Sequence, residues 1–449
     1  MTDIGSSKLF ADVYKKQLKF VREMGLYFFF NGCVWVKDLN SIYAKRLAKK
    51  FAIKTVELSN AIDNEKLRET AVKYYAKFNG FNQREKLIRD AQSVYIIDFN
   101  EFNKNPNLYN CKNGTVDLNT GKIHKHDPED MLTQISNVTY DENAKCDRWE
   151  RFIDEVTECD EMSKNLLQMI AGYSLSGSTK HECFFILYGK TTRNGKGTYN
   201  SVMYKMHGDY AKVLHPDSLA VKAFQNNSEA PNESIACLAG ARYVSVSEPG
   251  ENLVLNSDLV KQLTGRDPIR ARFLRQNSFV YDPEFKIVIN TNYLPKVTDP
   301  TVFSSDRLII VDFPKHFDEF NRDPHLKDKL LTDQSLSGIF NWCLQGYKML
   351  LDKGAFKMSD KSKRLFEEYR DESDVIQQFI DECLIKSDGA RTKYTAVYAR
   401  YKDWSKENGF CQCNKSTLRK RLSAKGLLLD EYCKQKMLFD YEVLQEYLD

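Results

Sequence analysis

The chain has 449 residues, more than one hydrophobic core usually holds, so two to four domains are expected. Its 42% hydrophobic and 29% charged residues are those of a soluble globular protein, and a net charge of +4 does not by itself mark a nucleic-acid binder. Apolar runs such as Phe184–Tyr188 are far too short to span a bilayer, and the opening Met1-Thr-Asp-Ile-Gly-Ser-Ser lacks the pattern of a secretion signal, so no membrane partner and a cytoplasmic location are expected. Eleven cysteines without paired spacings read as buried thiols; Cys411, Cys413 and Cys433 form the one cluster, and with no histidine after it a zinc site is not expected.

Residues 1 to 95 read as mainly helical, with short aromatic strands near Tyr27–Val36. Leu108–Gly121 reads as strand, turn, strand, with Asn113-Gly114 and Thr120-Gly121 as turn signals. Residues 147–176 return to helical periodicity, placing Trp149, Phe152, Ile153 and Val156 on one face. Four apolar, β-prone runs follow, Cys183–Tyr188, Tyr243–Val246, Phe285–Ile289 and Leu308–Val311, of the kind buried on both faces of an α/β sheet. A helical region leads to residue 370, and the last segment reads as a small helical domain ending in a β-wing. From Arg391 to Lys436 it holds twelve Lys/Arg against four Asp/Glu, a local basic surface suited to phosphate contact.

The sharpest local signal is Phe184-Phe-Ile-Leu-Tyr-Gly189-Lys-Thr-Thr-Arg-Asn194-Gly195-Lys196-Gly197-Thr198, a buried strand entering a glycine-containing loop before a helix. Glycines let backbone N–H groups turn inward on phosphates, the helix start adds positive dipole, and the lysine reaches the outer phosphates. Five residues separate Gly189 from Gly195, where the usual loop has four. Gly197 stands where a Ser/Thr usually ligates magnesium, with Thr198 one place later. A second apolar strand ends in Ser247-Glu248-Pro, giving one carboxylate to serve magnesium or the attacking water, with Glu251 as a possible second acid.

Further motifs follow in order: Leu259-Val-Lys261-Gln-Leu-Thr-Gly265, the basic stretch Arg270-Ala-Arg272-Phe-Leu-Arg275, Asn292-Tyr-Leu-Pro295 after the third strand, and Asp306-Arg307-Leu before the fourth. With Asn113–Gly121, His126-Asp-Pro-Glu-Asp and Gly172-Tyr-Ser-Leu-Ser-Gly177, this ordered set resembles the superfamily 3 helicases, in their poxvirus-like and phage/plasmid primase-helicase branch. The resemblance implies an α/β fold: an AAA+-type P-loop ATPase core at 179–370, a mainly helical N-terminal domain at 1–178 with a small β element at 105–125, and a winged-helix-like DNA-binding domain at 371–449. It implies ATP and Mg2+ as cofactors, with Gly189, Asn194, Gly195, Lys196, Gly197 and Thr198 around the nucleotide and Thr198 and Glu248 toward the metal. Asn292 would sense the γ-phosphate, and Arg307 would act as an arginine finger on a neighbour's nucleotide, in a homo-oligomer whose family number is a hexamer.

The same resemblance puts a hairpin in the ring's central channel. Period-two alternation sends Arg270 and Arg272 to one face, with Arg275-Gln276-Asn277 at the tip. Lys261, Arg272 and Arg275 would then contact single-stranded DNA, while Arg419 and Lys420, on a helix capped by Ser416 and stopped by Gly426, would meet duplex DNA. The expected function is that of an ATP-dependent DNA helicase in the replication of a phage or mobile element. The alternative is a replication initiator or helicase loader that binds DNA without processive unwinding; a small-molecule kinase, suggested by Gly195-Lys-Gly-Thr198 alone, ranks third. No strand with paired aspartates suits primer synthesis, so priming is not expected of this chain; it would fall to a separate primase as partner, or to a further part of a longer protein from which this chain is cut.

Overall fold

The computed structural model describes residues 2–221, 232–251, 253–275, 277–297, 299, 301–304, 306–408, 410 and 412–444. They divide into two compact units, residues 1–295 with 306–362 and residues 296–305 with 363–449.

The first unit opens with the helices Asp3–Tyr14, Ile42–Asn60, Glu65–Ala76 and Phe81–Ala91. Side chains cap two of them: Gly5 N–H donates to Thr2 Oγ1 at 3.1 Å and Leu67 N–H to Asn64 Oδ1 at 3.0 Å. The aromatic run Leu26–Phe30 is β-prone and forms a strand between Trp35–Asp38 and Leu18–Val21, with Ile96–Ile97 at the far edge. Phe10, Leu47, Phe51, Phe78 and Leu87 bury the helical faces in one cluster. A three-stranded meander follows, Leu108–Cys111, Gly114–Asp117 and Ile123–His124. Its tight turn needs glycine at 114, where φ is 154° and a Cβ would lie 2.3 Å from the carbonyl oxygen of His124.

The helix Asp147–Thr157 buries Trp149, Phe152, Ile153 and Val156, the four residues its periodicity set on one face. The next helix, Glu161–Tyr173, packs on Asp333–Lys353 through two glycines, and a Cβ on Gly346 would lie 1.9 Å from the carbonyl oxygen of Gln168.

Five parallel strands form the central sheet, numbered here in chain order: β1 (Phe184–Tyr188), β2 (Ala211–Val213), β3 (Tyr243–Ser247), β4 (Lys286–Thr291) and β5 (Leu308–Asp312). Their spatial order is β5-β1-β4-β3-β2. The four apolar runs all became strands. β2 is the addition: with three residues and a lysine in the middle it has no readable period. Helix α1 (Lys196–His207) covers one face, where Tyr199, Val202, Met203 and Met206 pack with Phe185, Leu187, Val288 and Val311. Helix α2 (Ser257–Thr264) precedes an antiparallel hairpin, Ile269–Arg272 with Ser278–Tyr281.

The second unit has its own core of Phe379, Val397, Tyr401, Trp404, Leu418, Leu422 and Leu438. Helices Val375–Cys383, Tyr394–Glu407 and Lys415–Ala424 pack there with a three-stranded sheet ordered Leu384–Lys393, Gln435–Val443, Leu429–Tyr432. The expected wing is therefore a fuller sheet than sequence suggested, because strands of ten and nine residues form it. One cap is corrected: Asn414, not Ser416, opens the helix Lys415–Ala424, its Oδ1 accepting from Thr417 N–H at 2.9 Å, and Ser416 sits exposed within the first turn. Gly426, at φ 85°, follows the helix end as expected. Among the described residues no helix is long and apolar enough to cross a membrane, and no group of three or more His, Cys, Asp or Glu is placed to hold a metal. Cys411 lies outside the described residues.

Candidate active site

The loop between β1 and α1 meets the C-terminal ends of β1, β3, β4 and β5. Gly195 takes φ 90° and serves as the N-cap of α1, so the chain turns sharply and Lys196 begins the helix. A Cβ on Gly195 would lie 2.6 Å from Val156, so glycine is required for space as well as for conformation.

Lys196 is 8% exposed, and its Nζ has three acceptors: Asn292 Oδ1 at 2.7 Å, Asn194 Oδ1 at 3.2 Å and the carbonyl oxygen of Gly189 at 3.4 Å. The loop lysine and the asparagine after β4, ninety-six positions apart, thus touch directly. Gly189 belongs to the same packing, since a Cβ there would lie 2.6 Å from Lys196 Nζ. Asn194 is held from behind: its Nδ2 donates to the carbonyl oxygen of Lys315 at 2.7 Å and to Thr191 Oγ1 at 3.1 Å. Burial lowers the Lys196 pKa to about 8, and the nearby carboxylates of Asp312 and Glu248 oppose that fall.

Glu248 stands exposed one residue past β3 at φ 51°, its N–H donating to the carbonyl oxygen of Asn290 at 2.9 Å. Glu251 is exposed in the following turn. Gly197 is exposed and Thr198 half-buried in the first turn of α1. Of the phosphate-loop and strand-end residues picked from sequence, Gly189, Asn194, Gly195, Lys196, Glu248 and Asn292 are brought together.

Two residues at this edge were not picked. Asp312 ends β5, and its carboxyl pKa is raised by burial, with Lys361 and Lys196 opposing the rise. An apolar strand ending in an acid, the same signal that marked Glu248, would have found it. Asn290, 6% exposed, lies in register with Ser247 on β3 and Leu187 on β1; neither of its amide atoms has a hydrogen-bond partner among the described residues. A lone amide in the apolar run Ile287-Val-Ile-Asn290 was its only signal.

Arg307 sits elsewhere, at the N-terminal end of β5. Its Nη1 donates to Thr264 Oγ1 at 2.8 Å and to the carbonyl oxygen of Lys261 at 3.3 Å, and its Nη2 pairs with Glu182 at 3.3 Å. Asp306 is exposed beside it. Lys261 is half-buried in the last turn of α2. In the hairpin, Ile269 and Ala271 are buried, Arg270 is exposed and Arg272 is half-buried, which is the expected alternation. Arg275 is exposed in the connecting turn at φ 59°, and Gln276 lies outside the described residues. In the second unit, Lys420 is exposed, whereas Arg419 donates to the carbonyl oxygen of Leu429 at 3.3 Å.

Residues 7–158 match the family described as D5 N terminal like, and residues 371–442 match Poxvirus D5 protein-like. Over 446 residues the chain is 24% identical to "Putative helicase L207/L206" of Acanthamoeba polyphaga mimivirus, covering 91% of this chain and 46% of that protein. It is 23% identical to "Putative primase C962R" of African swine fever virus, covering 73% of this chain and 35% of that protein. A virophage relative, "Putative helicase V13" of Sputnik virophage, is 24% identical over 46% of this chain. The chain therefore resembles proteins named as helicases or primases of large DNA viruses, and it spans less than half the length of these relatives. Among solved structures, the apo C-terminal region of NrS-1 aligns with a TM-score of 0.53 at 12% identity, covering 97% of this chain and 99% of that one. That likeness concerns the fold, a mixed α/β arrangement with a parallel sheet.

Proposed function

We propose that the chain is an ATP-hydrolysing DNA helicase subunit of the superfamily 3 type, with an AAA+-type core at 179–370, an N-terminal domain at 1–178 and a winged-helix-like domain at 371–449. The observation that carries this reading is the 2.7 Å contact between Lys196 and Asn292 at the C-terminal edge of adjacent strands β1 and β4. Ligands of open α/β sheets bind at that edge. A cation from the loop and an amide from the next strand then converge where a terminal phosphate would lie. The strand order β5-β1-β4-β3-β2 supports the same reading, as do the relatives' names.

In this reading the inward N–H groups of the loop hold the nucleotide phosphates and Lys196 neutralises their outer charge. Glu248 orients the attacking water, and Asn292 donates its amide hydrogens to the phosphate that leaves. The oxygens of Thr198 and Glu248 are hard donors suited to magnesium or its waters. When bound, magnesium supplies charge neutralisation and fixes the phosphate geometry.

Arg307 requires a second copy of the chain. It precedes β5 while Lys196 follows the paired strand β1, so the two stand at opposite ends of a five-residue parallel pair, roughly 15 Å apart or more. A terminal phosphate held at Lys196 would therefore lie at the far end of the strand pair from Arg307 of the same chain. For Arg307 to act on a neighbour's phosphates in a hexameric ring, it must leave Glu182. Lys261, Arg272 and Arg275 are assigned to single-stranded DNA, and Arg419 and Lys420 to duplex, with Lys420 the freer of the last two.

The test is unwinding of a forked DNA duplex with ATP and magnesium, wild type against Lys196→Ala. Strand separation lost in the variant supports the helicase. Hydrolysis without separation on either tail polarity would move the assignment to an initiator or loader, a reading favoured by the presence of Ser247 where many such strands carry a second acid.

A further inference from the structure

The side chains at the C-terminal edge of the sheet include one group that neither the nucleotide reading nor the packing accounts for. Asn290 is 6% exposed, and both amide atoms lack a hydrogen-bond partner among the described residues. Buried polar groups are nearly always paired, because an orphaned one loses its water for nothing. Register fixes which way this amide points. Asn290 pairs with Leu187 on one side and Ser247 on the other, and Val288, two residues earlier, pairs with Phe185. Phe185, Leu187 and Val288 all belong to the cluster under α1, so Asn290 faces α1 as well. It is one step further toward the strand end, on the face that α1 covers. Asn292, the next residue on that face, reaches Lys196.

The neighbourhood is short of partners. Ser245 Oγ, two residues back from Ser247 on the same face, is also buried without one among the described residues. Ser247 itself occupies the place before Glu248 where a second carboxylate would be expected.

We propose that Asn290 binds the water shell of the magnesium ion that accompanies the nucleotide, its carboxamide oxygen taking the place of the second strand-end carboxylate missing at Ser247. The proposal rests on the nucleotide reading above. The amide is orphaned because its partner arrives with the ligand, and the fold keeps a destabilising buried group for that reason. An amide oxygen is a hard, neutral acceptor, well suited to a magnesium-bound water but weaker than a carboxylate. The site should therefore need more free magnesium than one with two acids.

The test uses the full chain, a fluorescent ADP analogue and a magnesium titration, for wild type, Asn290→Leu and Asn290→Asp at pH 8. The wild-type curve is read first: if it binds no ADP, with or without magnesium, the nucleotide reading itself falls. If it does bind, Asn290→Leu should keep the affinity measured in EDTA and melt no lower than wild type without nucleotide, since the orphaned amide is gone. The magnesium needed for half-maximal tightening should rise about tenfold, the loss of one such contact. Asn290→Asp should lower that requirement severalfold, and Ser247→Asp should rescue Asn290→Leu. Magnesium curves for both Asn290 variants that overlay wild type, or a Leu variant that weakens EDTA and magnesium binding equally, would overturn the proposal and leave Asn290 a packing residue.

Discussion

The pKa of Lys196, lowered to about 8, lies near the pH of ordinary assays, and this makes the proposed nucleotide site testable without trapping any reaction. Without ligand its pKa is about 8, lowered from 10.5 mainly by burial. Bound phosphate would supply the charge that Lys196 lacks and return its pKa toward or above the ordinary value. Binding then takes up protons, so affinity falls as pH rises through the ligand-free pKa. The charged fraction before binding is about 0.9 at pH 7 and about 0.1 at pH 9, so ADP should bind roughly tenfold more weakly at pH 9. About half a proton should be taken up per ADP at pH 8. Titration calorimetry in two buffers of different ionisation enthalpy measures the uptake, and a fluorescence titration at pH 7, 8 and 9 measures the affinity. Lys196→Arg keeps its charge throughout and should flatten the profile. A wild-type affinity that changes less than about twofold over this range, or an Arg variant as steep as wild type, would refute the reasoning, because either places the titrating group elsewhere. The same lysine destabilises the ligand-free fold. Since its folded pKa lies below its unfolded one, the penalty is complete below about pH 8 and is relieved as pH rises toward 10.5.

Arg307→Ala and Lys196→Ala subunits, each inactive alone, should regain part of the ATP hydrolysis on mixing, because an Arg307→Ala subunit keeps Lys196 and receives an intact finger from a Lys196→Ala neighbour; no recovery at any mixing ratio would show that Arg307 acts only within its own chain. Gly346→Ala should cost about 1–3 kcal/mol and lower the melting temperature by several degrees, since the added Cβ meets backbone at 1.9 Å that cannot turn aside; an unchanged melt would contradict the packing of Glu161–Tyr173 on Asp333–Lys353. Arg275→Ala should weaken single-stranded DNA binding regardless of sequence and reduce the slope of log affinity against log salt by about 0.7, as read by fluorescence anisotropy across a salt series; an unchanged slope would remove Arg275 from the DNA path.

Sequence revealed the sheet because its strands are short apolar runs buried on both faces, a signal independent of any partner. It revealed the loop because Gly195 and Lys196 are read from local backbone needs. β2 stayed hidden because three residues carry no period, and the register that sets Asn290 across from Ser247 is a property of strand pairing that no single segment encodes. The cap at Asn414 was missed for a related reason. Asn and Ser are both good caps, and backbone geometry chose the one two residues earlier. Arg307 shows a further limit: its motif gave its place before β5, but its contacts with Glu182 and Thr264 depend on segments more than forty residues away.

The ligand-free site also constrains how a phosphate enters. An ammonium has three hydrogens, and Lys196 already has three acceptors, so a phosphate oxygen must displace one of them. The contact to Gly189 is the longest at 3.4 Å, and the one to Asn292 the shortest at 2.7 Å. The backbone acceptor is therefore the first to yield, and Asn292 stays joined to the lysine until a terminal phosphate competes for both. If the site binds a nucleotide as proposed, that order couples the end of β4 to it: the amide is held by the lysine when no phosphate is present and would turn to the phosphate when one is. The hairpin Ile269–Arg272/Ser278–Tyr281 immediately precedes β4, so a shift of Asn292 acts on the strand that follows the proposed DNA-contacting turn. In that reading Lys196 and Asn292 exchange partners together, because the 2.7 Å contact that joins them is broken when a terminal phosphate takes both.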